Sequence, residues 1–174
     1  FILIPCNTAH FYYKQLRSYS PIPILHIVEE TAKMIKKNYQ DVKSIGLLAT
    51  DGTLKSKIYQ DIFQKYGITV IIPDEFDQKH LVMDSIYGES GIKGGDLEKP
   101  RPKIELVANK LILAGADLIV SGCTEIPLAL KQENVPFVVI DPTKILAQVA
   151  IENALFIEEN SAKVLNKASS EISV

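Results

Sequence analysis

The chain reads as an α/β protein, its parallel strands alternating with helices in the doubly wound manner. Three observations predict this. Short apolar runs alternate with helix-length amphipathic stretches, a rhythm that builds parallel sheets with right-handed crossovers. The runs at 1–4, 44–49 and 117–121 are apolar almost without a break, as strands covered on both faces are. Two of these runs lead into the chain's two cysteines through similar segments, Pro5-Cys6-Asn7-Thr8-Ala9-His10 and Gly122-Cys123-Thr124-Glu125-Ile126-Pro127.

Taken in order, residues 1–4 form the strand that ends at Cys6. Residues 8–18 form a helix, ended by Ser18-Tyr19-Ser20-Pro21. A short apolar strand at 22–27 precedes a helix at 28–39, with apolar spacing at Ala32, Ile35 and Tyr39. A polar connection at 38–43 leads to a strong strand at 44–49. Residues 53–66 are helical and closed by Gly67, a favoured residue just past a helix end. The strand at 69–72 halts at Pro73. Helices follow at 75–87 and 101–114, the second stopping before Gly115. After the strand into Cys123 come a short helix to Lys131, a strand at 135–140 and a long helix at 142–158. The Ser/Lys/Ala-rich residues 160–174 are expected to fray.

With 174 residues, 47% of them hydrophobic and 23% charged, the chain is a core-forming soluble protein. No apolar run reaches membrane-spanning length, and no charged-then-apolar leader opens the sequence. A net charge of -2 with scattered lysines leaves no electrostatic footprint for nucleic acid. Lys33, Lys36 and Lys37 form a solvated helix face. Two cysteines without a signal peptide point to a reducing, cytoplasmic setting rather than a disulfide. They also lack the paired spacing of a zinc site, so no metal is expected.

Each cysteine follows a strand and stands where a helix would start. There, unpaired N–H groups and the positive end of the dipole favour thiolate. Two such thiols in similar settings suit a site that removes a proton from one face of a carbon and returns it to the other. The alternative for each is a small buried apolar residue.

The segments PCNTAH and GCTEIP, with LLATDGT between them, resemble the cofactor-independent aspartate/glutamate racemases, and within them the aspartate racemase branch. The likeness runs in order from Cys6 to about Leu155. Glu125 stands where glutamate racemases usually carry histidine, which favours the aspartate-type or broad-specificity branch. The resemblance implies two pseudo-symmetric doubly wound domains, the first incomplete. Residues 42–141 would carry Cys123, and residues 1–41 plus 142–174 would be the remnant of the domain carrying Cys6. The family has a further stretch before its first cysteine motif, whereas this chain opens at Phe1 inside the strand. A fragment with little or no activity is therefore expected.

Cys6, Thr50 and Cys123 all lie at the carboxyl ends of expected strands, where ligands of such sheets bind. The resemblance implies that Cys6 and Cys123 are paired bases on opposite faces of an acidic amino acid. It implies no metal or organic cofactor, and a homodimer. Asn7, Thr8 and the Ala9 backbone, with Thr124 after the second cysteine, would bind the substrate carboxylate, although Thr8 and Thr124 could equally be helix caps. Thr50 is either a substrate contact or a helix-starting hydroxyl. Lys93, in Ile-Lys-Gly-Gly beside the lid-like glycines Gly88 and Gly91, would hold the side-chain carboxylate. Glu125 could orient Cys123 or merely place charge in a first turn, and His10 could support Cys6 or lie on a helix surface. His26 and His80 read as structural. Hydantoin racemase and maleate isomerase chemistry are the nearest rivals, and Lys93 argues against the hydantoin.

Overall fold

The computed structural model describes residues 1–171, with side chains through Phe156. Its centre is a sheet of β1 (Ser44–Leu48), β2 (Thr69–Ile71), β3 (Leu118–Ser121) and β4 (Val139–Ile140) in the order β2-β1-β3-β4. Every pairing is parallel, with Ile45 opposite Val70 and Leu118, and Ile119 opposite Val139. The α/β class read from the sequence holds. β1 and β3 are buried at nearly every position, which is why both faces of these strands are apolar.

Helices cover both faces. On one side lie α2 (Ile27–Asn38), α4 (Ile58–Lys65) and α9 (Pro142–Glu171). Ile27, Val28, Ala32 and Ile35 of α2 share a cluster with Ile45, Leu47, Tyr59, Phe63 and Leu118, and Ile145 and Leu146 of α9 join it. On the other side, α7 (Pro100–Leu113) brings Ile104, Val107, Ala108 and Leu111 against Leu48 and Ile119. Burial of these side chains, about 1.5–3 kcal/mol each, is the main stabilising contribution.

Several elements differ from the sequence expectation. Residues 1–4 and 22–27 are not strands. They meet at one isolated parallel bridge, Ile2 to Ile24, held by Ile2 N–H to Pro23 C=O (2.8 Å) and Leu25 N–H to Ile2 C=O (3.0 Å). Pro5, Pro21 and Pro23 contribute no N–H, so the ladder cannot extend through them. Phe1, Ile2, Leu3, Phe11 and Tyr12 remain exposed around it.

The helix expected at 53–66 is two: α3 (Asp51–Ser56) and α4, broken at Lys57 with φ 56°. Ser56 supplies the break, its hydroxyl donating to Thr53 C=O (2.6 Å) and accepting from Ile58 N–H (3.4 Å). The strand expected at 135–140 shrinks to Val139–Ile140, because the Gln132 side chain replaces a neighbouring strand. Its amide donates to Phe137 C=O (2.8 Å) and accepts from Val139 N–H (2.9 Å).

Residues 75–87 form one helical rod, but its middle is a π-helix (Gln78–Met83) between α5 (Glu75–Asp77) and α6 (Asp84–Tyr87). Between β3 and β4 stands the short α8 (Ile126–Ala129), and α1 (Tyr13–Tyr19) follows a 3-10 turn (Thr8–Tyr12). The helix α9 continues through Glu171 rather than ending at 158. The fraying expected for 160–174 falls partly on residues 172–174, outside the described residues.

Candidate active site

The site grows from the carboxyl ends of β1 and β3. Leu48 pairs with Ser121, so Thr50 and Cys123, each two residues further on, emerge side by side. Gly122 makes the junction: its N–H donates to Leu48 C=O at 2.7 Å. A Cβ there would fall 2.7 Å from Leu47 Cδ1 and 3.0 Å from Ala49 Cβ, so only glycine lets the Cys123 turn come this close. Thr50 caps α3, its Oγ1 accepting from Thr53 N–H at 3.4 Å.

The Cys6 segment docks on this same end. Thr8 Oγ1 lies 2.7 Å from Thr53 Oγ1 and 3.2 Å from Thr50 Oγ1. Asn7 is buried, and its Oδ1 accepts from the Tyr59 hydroxyl at 2.7 Å. Its Nδ2 is buried with no hydrogen-bond partner among the described residues, leaving a free donor. Cys6 itself is exposed, and Ala9 lies in the 3-10 turn that follows Thr8. Both cysteine segments therefore reach Thr50, one through Thr8 and the other through the register of β1 and β3.

His10 is not on a helix surface. It is 1% exposed, and its ring stands between Nδ1–H donating to Cys6 C=O (2.9 Å) and Nε2 accepting from Ile27 N–H (3.2 Å). These bonds fix the tautomer, and burial lowers the ring's pKa. His10 thus ties the backbone of Cys6, rather than its thiol, to the first turn of α2. His26 lies tilted beside it, ring centroids 4.8 Å apart, and caps α2 by accepting from Glu29 N–H at 3.4 Å. His80, in the π-helix, packs against Phe76.

Around Cys123 the expectation of a thiolate requires correction. The thiol is buried, and its Sγ–H donates to Glu125 Oε2 at 2.9 Å. Burial first, and then the bond to a carboxylate, push it up to about 12, because both disfavour a second negative charge. The four-residue α8 offers little dipole to oppose them. Thr124 Oγ1 donates to the same Oε2 at 2.9 Å, and Lys93 Nζ pairs with Oε1 at 2.7 Å. Burial alone would raise the Glu125 carboxyl, but the bonds from Cys123, Lys93 and Thr124 outweigh it and hold the group at about 2. Lys93 is half-exposed in the 3-10 turn Ile92–Gly94, raised by Glu125 and lying 5.3 Å from the Tyr87 ring centroid. Thr124 therefore serves Glu125 rather than a helix end.

Sequence reasoning missed Tyr59 and Gln78. Tyr59, fully buried, reaches Asn7 across the fold, and burial pushes its phenol up. Gln78 Nε2 donates to Ala49 C=O (3.0 Å) and Asp51 Oδ1 (2.9 Å), bracing the end of β1. Neither residue stands in a motif. A separate cavity of about 650 Å³, lined by His10, Phe11, His26, Glu29, Ile58 and Lys65 among others, does not include the cysteines. No group of three or more His, Cys, Asp or Glu side chains able to hold a metal occurs among the described residues. No helix among them is long and apolar enough to cross a membrane.

Residues 1–150 match the model of the family described as Asp/Glu/hydantoin racemase. The chain belongs to that family. A broad-specificity amino-acid racemase, RacX of Bacillus subtilis, is 31% identical over 155 residues, covering 89% of this chain and 65% of that protein. The aspartate racemase of Picrophilus torridus has the same fold at TM-score 0.75 and 32% identity, over 88% of this chain and 61% of that one. A putative Asp/Glu racemase from Yersinia pestis aligns at TM-score 0.78 and 35% identity, over 88% of this chain and 66% of its own. This family member thus spans about two thirds or less of the length of these three racemases.

Proposed function

We propose that the protein racemises an acidic amino acid, aspartate foremost, with Cys6 and Cys123 as the two proton-transfer groups. The observation that supports this most is the meeting of both cysteine segments at Thr50, through the Thr8 hydroxyl and the strand register. The α-carbon of an amino acid is a very weak acid, so its proton leaves only to a well-placed base while the carbanion is stabilised through the carboxylate. One thiolate takes the α-proton; the opposite thiol gives one to the other face, and the roles reverse for the other enantiomer. With Cys123 held as the thiol, the reading gives it the acid role in the first half-turn and Cys6 the base role. The unpaired Asn7 Nδ2, the N–H groups at Thr8 and Ala9, and the Thr50 hydroxyl are donors suited to the substrate carboxylate. Lys93 supplies a point charge for the second carboxylate. No metal or organic cofactor is needed for these steps. The setting that fits two free cysteines is the cytoplasm, and a homodimer is the assembly we expect.

The test is incubation with L- and D-aspartate separately in heavy water, following deuterium at Cα and the enantiomer ratio. Contrary to the expectation of an inactive fragment, this reading has wild type exchange and interconvert both. Cys6→Ser and Cys123→Ser should each abolish interconversion, and near-wild-type racemisation by either would refute the two-thiol assignment.

A further inference from the structure

Glu125 holds three partners at once. One oxygen takes the Lys93 ammonium at 2.7 Å, and the other takes both the Cys123 thiol and the Thr124 hydroxyl at 2.9 Å. Lys93 is the cation that a dicarboxylic ligand would use, and it is paired with a carboxylate of the protein itself. We infer that Glu125 occupies the place of the ligand's second carboxylate, and that a dicarboxylic substrate must take Lys93 from Glu125 in order to bind. The inference rests on the Lys93 role proposed above and adds a competitor to it.

The chemistry of the exchange follows from charge. Before it, the ammonium faces the Glu125 carboxylate, and the thiol keeps its proton. When Lys93 moves to the ligand's carboxylate, Glu125 loses its cation and keeps the bonds from Cys123 and Thr124. Cys123 keeps its proton throughout, in line with the acid role given to it above. A monocarboxylic amino acid has nothing to offer Lys93 and leaves the Lys93–Glu125 pair intact. Glu125 therefore acts as a specificity-determining residue through Lys93, because only a ligand with a second carboxylate competes for the ammonium.

The test titrates the full chain with succinate and, separately, butyrate, which has one carboxylate fewer, following backbone amide shifts by NMR. The amide spectrum also reports whether each variant is folded. Glu125→Gln and Glu125→Ala should each bind succinate about tenfold or more tightly than wild type, with butyrate unchanged, because a charge-assisted competitor has gone. Lys93→Met should bring succinate down to the level of butyrate. If Lys93→Met weakens succinate while both Glu125 variants leave it unchanged or weaker, the competition is refuted and the Lys93 role stands. If Lys93→Met leaves succinate binding intact, the Lys93 role itself falls, and the inference with it.

Discussion

Replacing Glu125 with glutamine should make Cys123 more reactive, although glutamine is no better a base. In the wild type, burial and the ionised Glu125 together lift this thiol from 9.0 to about 12. Three such units correspond to about 4 kcal/mol between thiol and thiolate. At pH 8 only about one Cys123 in 10⁴ is then thiolate, against about one in ten for an ordinary thiol. A like charge within hydrogen-bond reach accounts for roughly one to three units. Removing it while keeping an acceptor of the same shape should lower the midpoint by at least about one unit and speed alkylation about tenfold at fixed pH. The assay is iodoacetamide labelling between pH 7 and about 11, with the Cys6 and Cys123 peptides followed separately by mass spectrometry, since the thiolate is the form that reacts. A wild-type Cys123 titrating at or below 9, or a Glu125→Gln midpoint at or above the wild-type one, would refute this account.

Three other outcomes follow from named contacts. Tyr59→Phe strips Asn7 Oδ1 of its buried donor and should cost about 1–3 kcal/mol in urea unfolding; an unchanged midpoint would mean Asn7 finds another partner. Gly122→Ala should cost a similar 1–3 kcal/mol or so by forcing apart Leu47, Ala49 and the Cys123 turn, and a stability equal to wild type would show that this junction gives way easily. His26 is lowered to about 4, by burial first and by His10 second. Its folded form therefore resists protonation, so its contribution is complete above about pH 6.5 and fades as pH falls towards 4, by about 1–2 kcal/mol after discounting for partial exposure. His26→Asn, which can still cap α2, should flatten that acid slope; an unaltered slope would assign it to other groups.

What was legible in the sequence is what local patterning decides. β1 and β3 announce themselves because strands covered on both faces leave no polar alternation. Thr50 and Cys123 were legible as strand ends for the same reason. The short bridge at Ile2 was not, since its apolar run looks like any strand, and only missing N–H groups and missing neighbours limit it. The raised Cys123 thiol was hidden because its first cause is burial, which only the folded chain produces. Its second cause, Glu125, reads in Cys-Thr-Glu as first-turn charge rather than as an acceptor for the sulfur. Tyr59 escaped notice because its α4 position reads as ordinary core, while its hydroxyl serves a residue in the opening segment.

The π-helix (Gln78–Met83) sets the rotational register of the rod it interrupts. A π turn holds one residue more than an α turn, so it amounts to an insertion accommodated inside a helix. Gln78, Val82 and Ile86 are all buried at intervals of four, a spacing that a regular 3.6-residue helix would let drift around its axis. Deleting one residue within 78–83 would restore ordinary winding and turn one end of the rod by about 100° against the other. The helix could then keep Gln78 on Ala49 and Asp51 or keep Ile86 in the core, but not both. A relative that lacks this one residue should therefore also have replaced Gln78, because the two ends of the rod could no longer both keep their places.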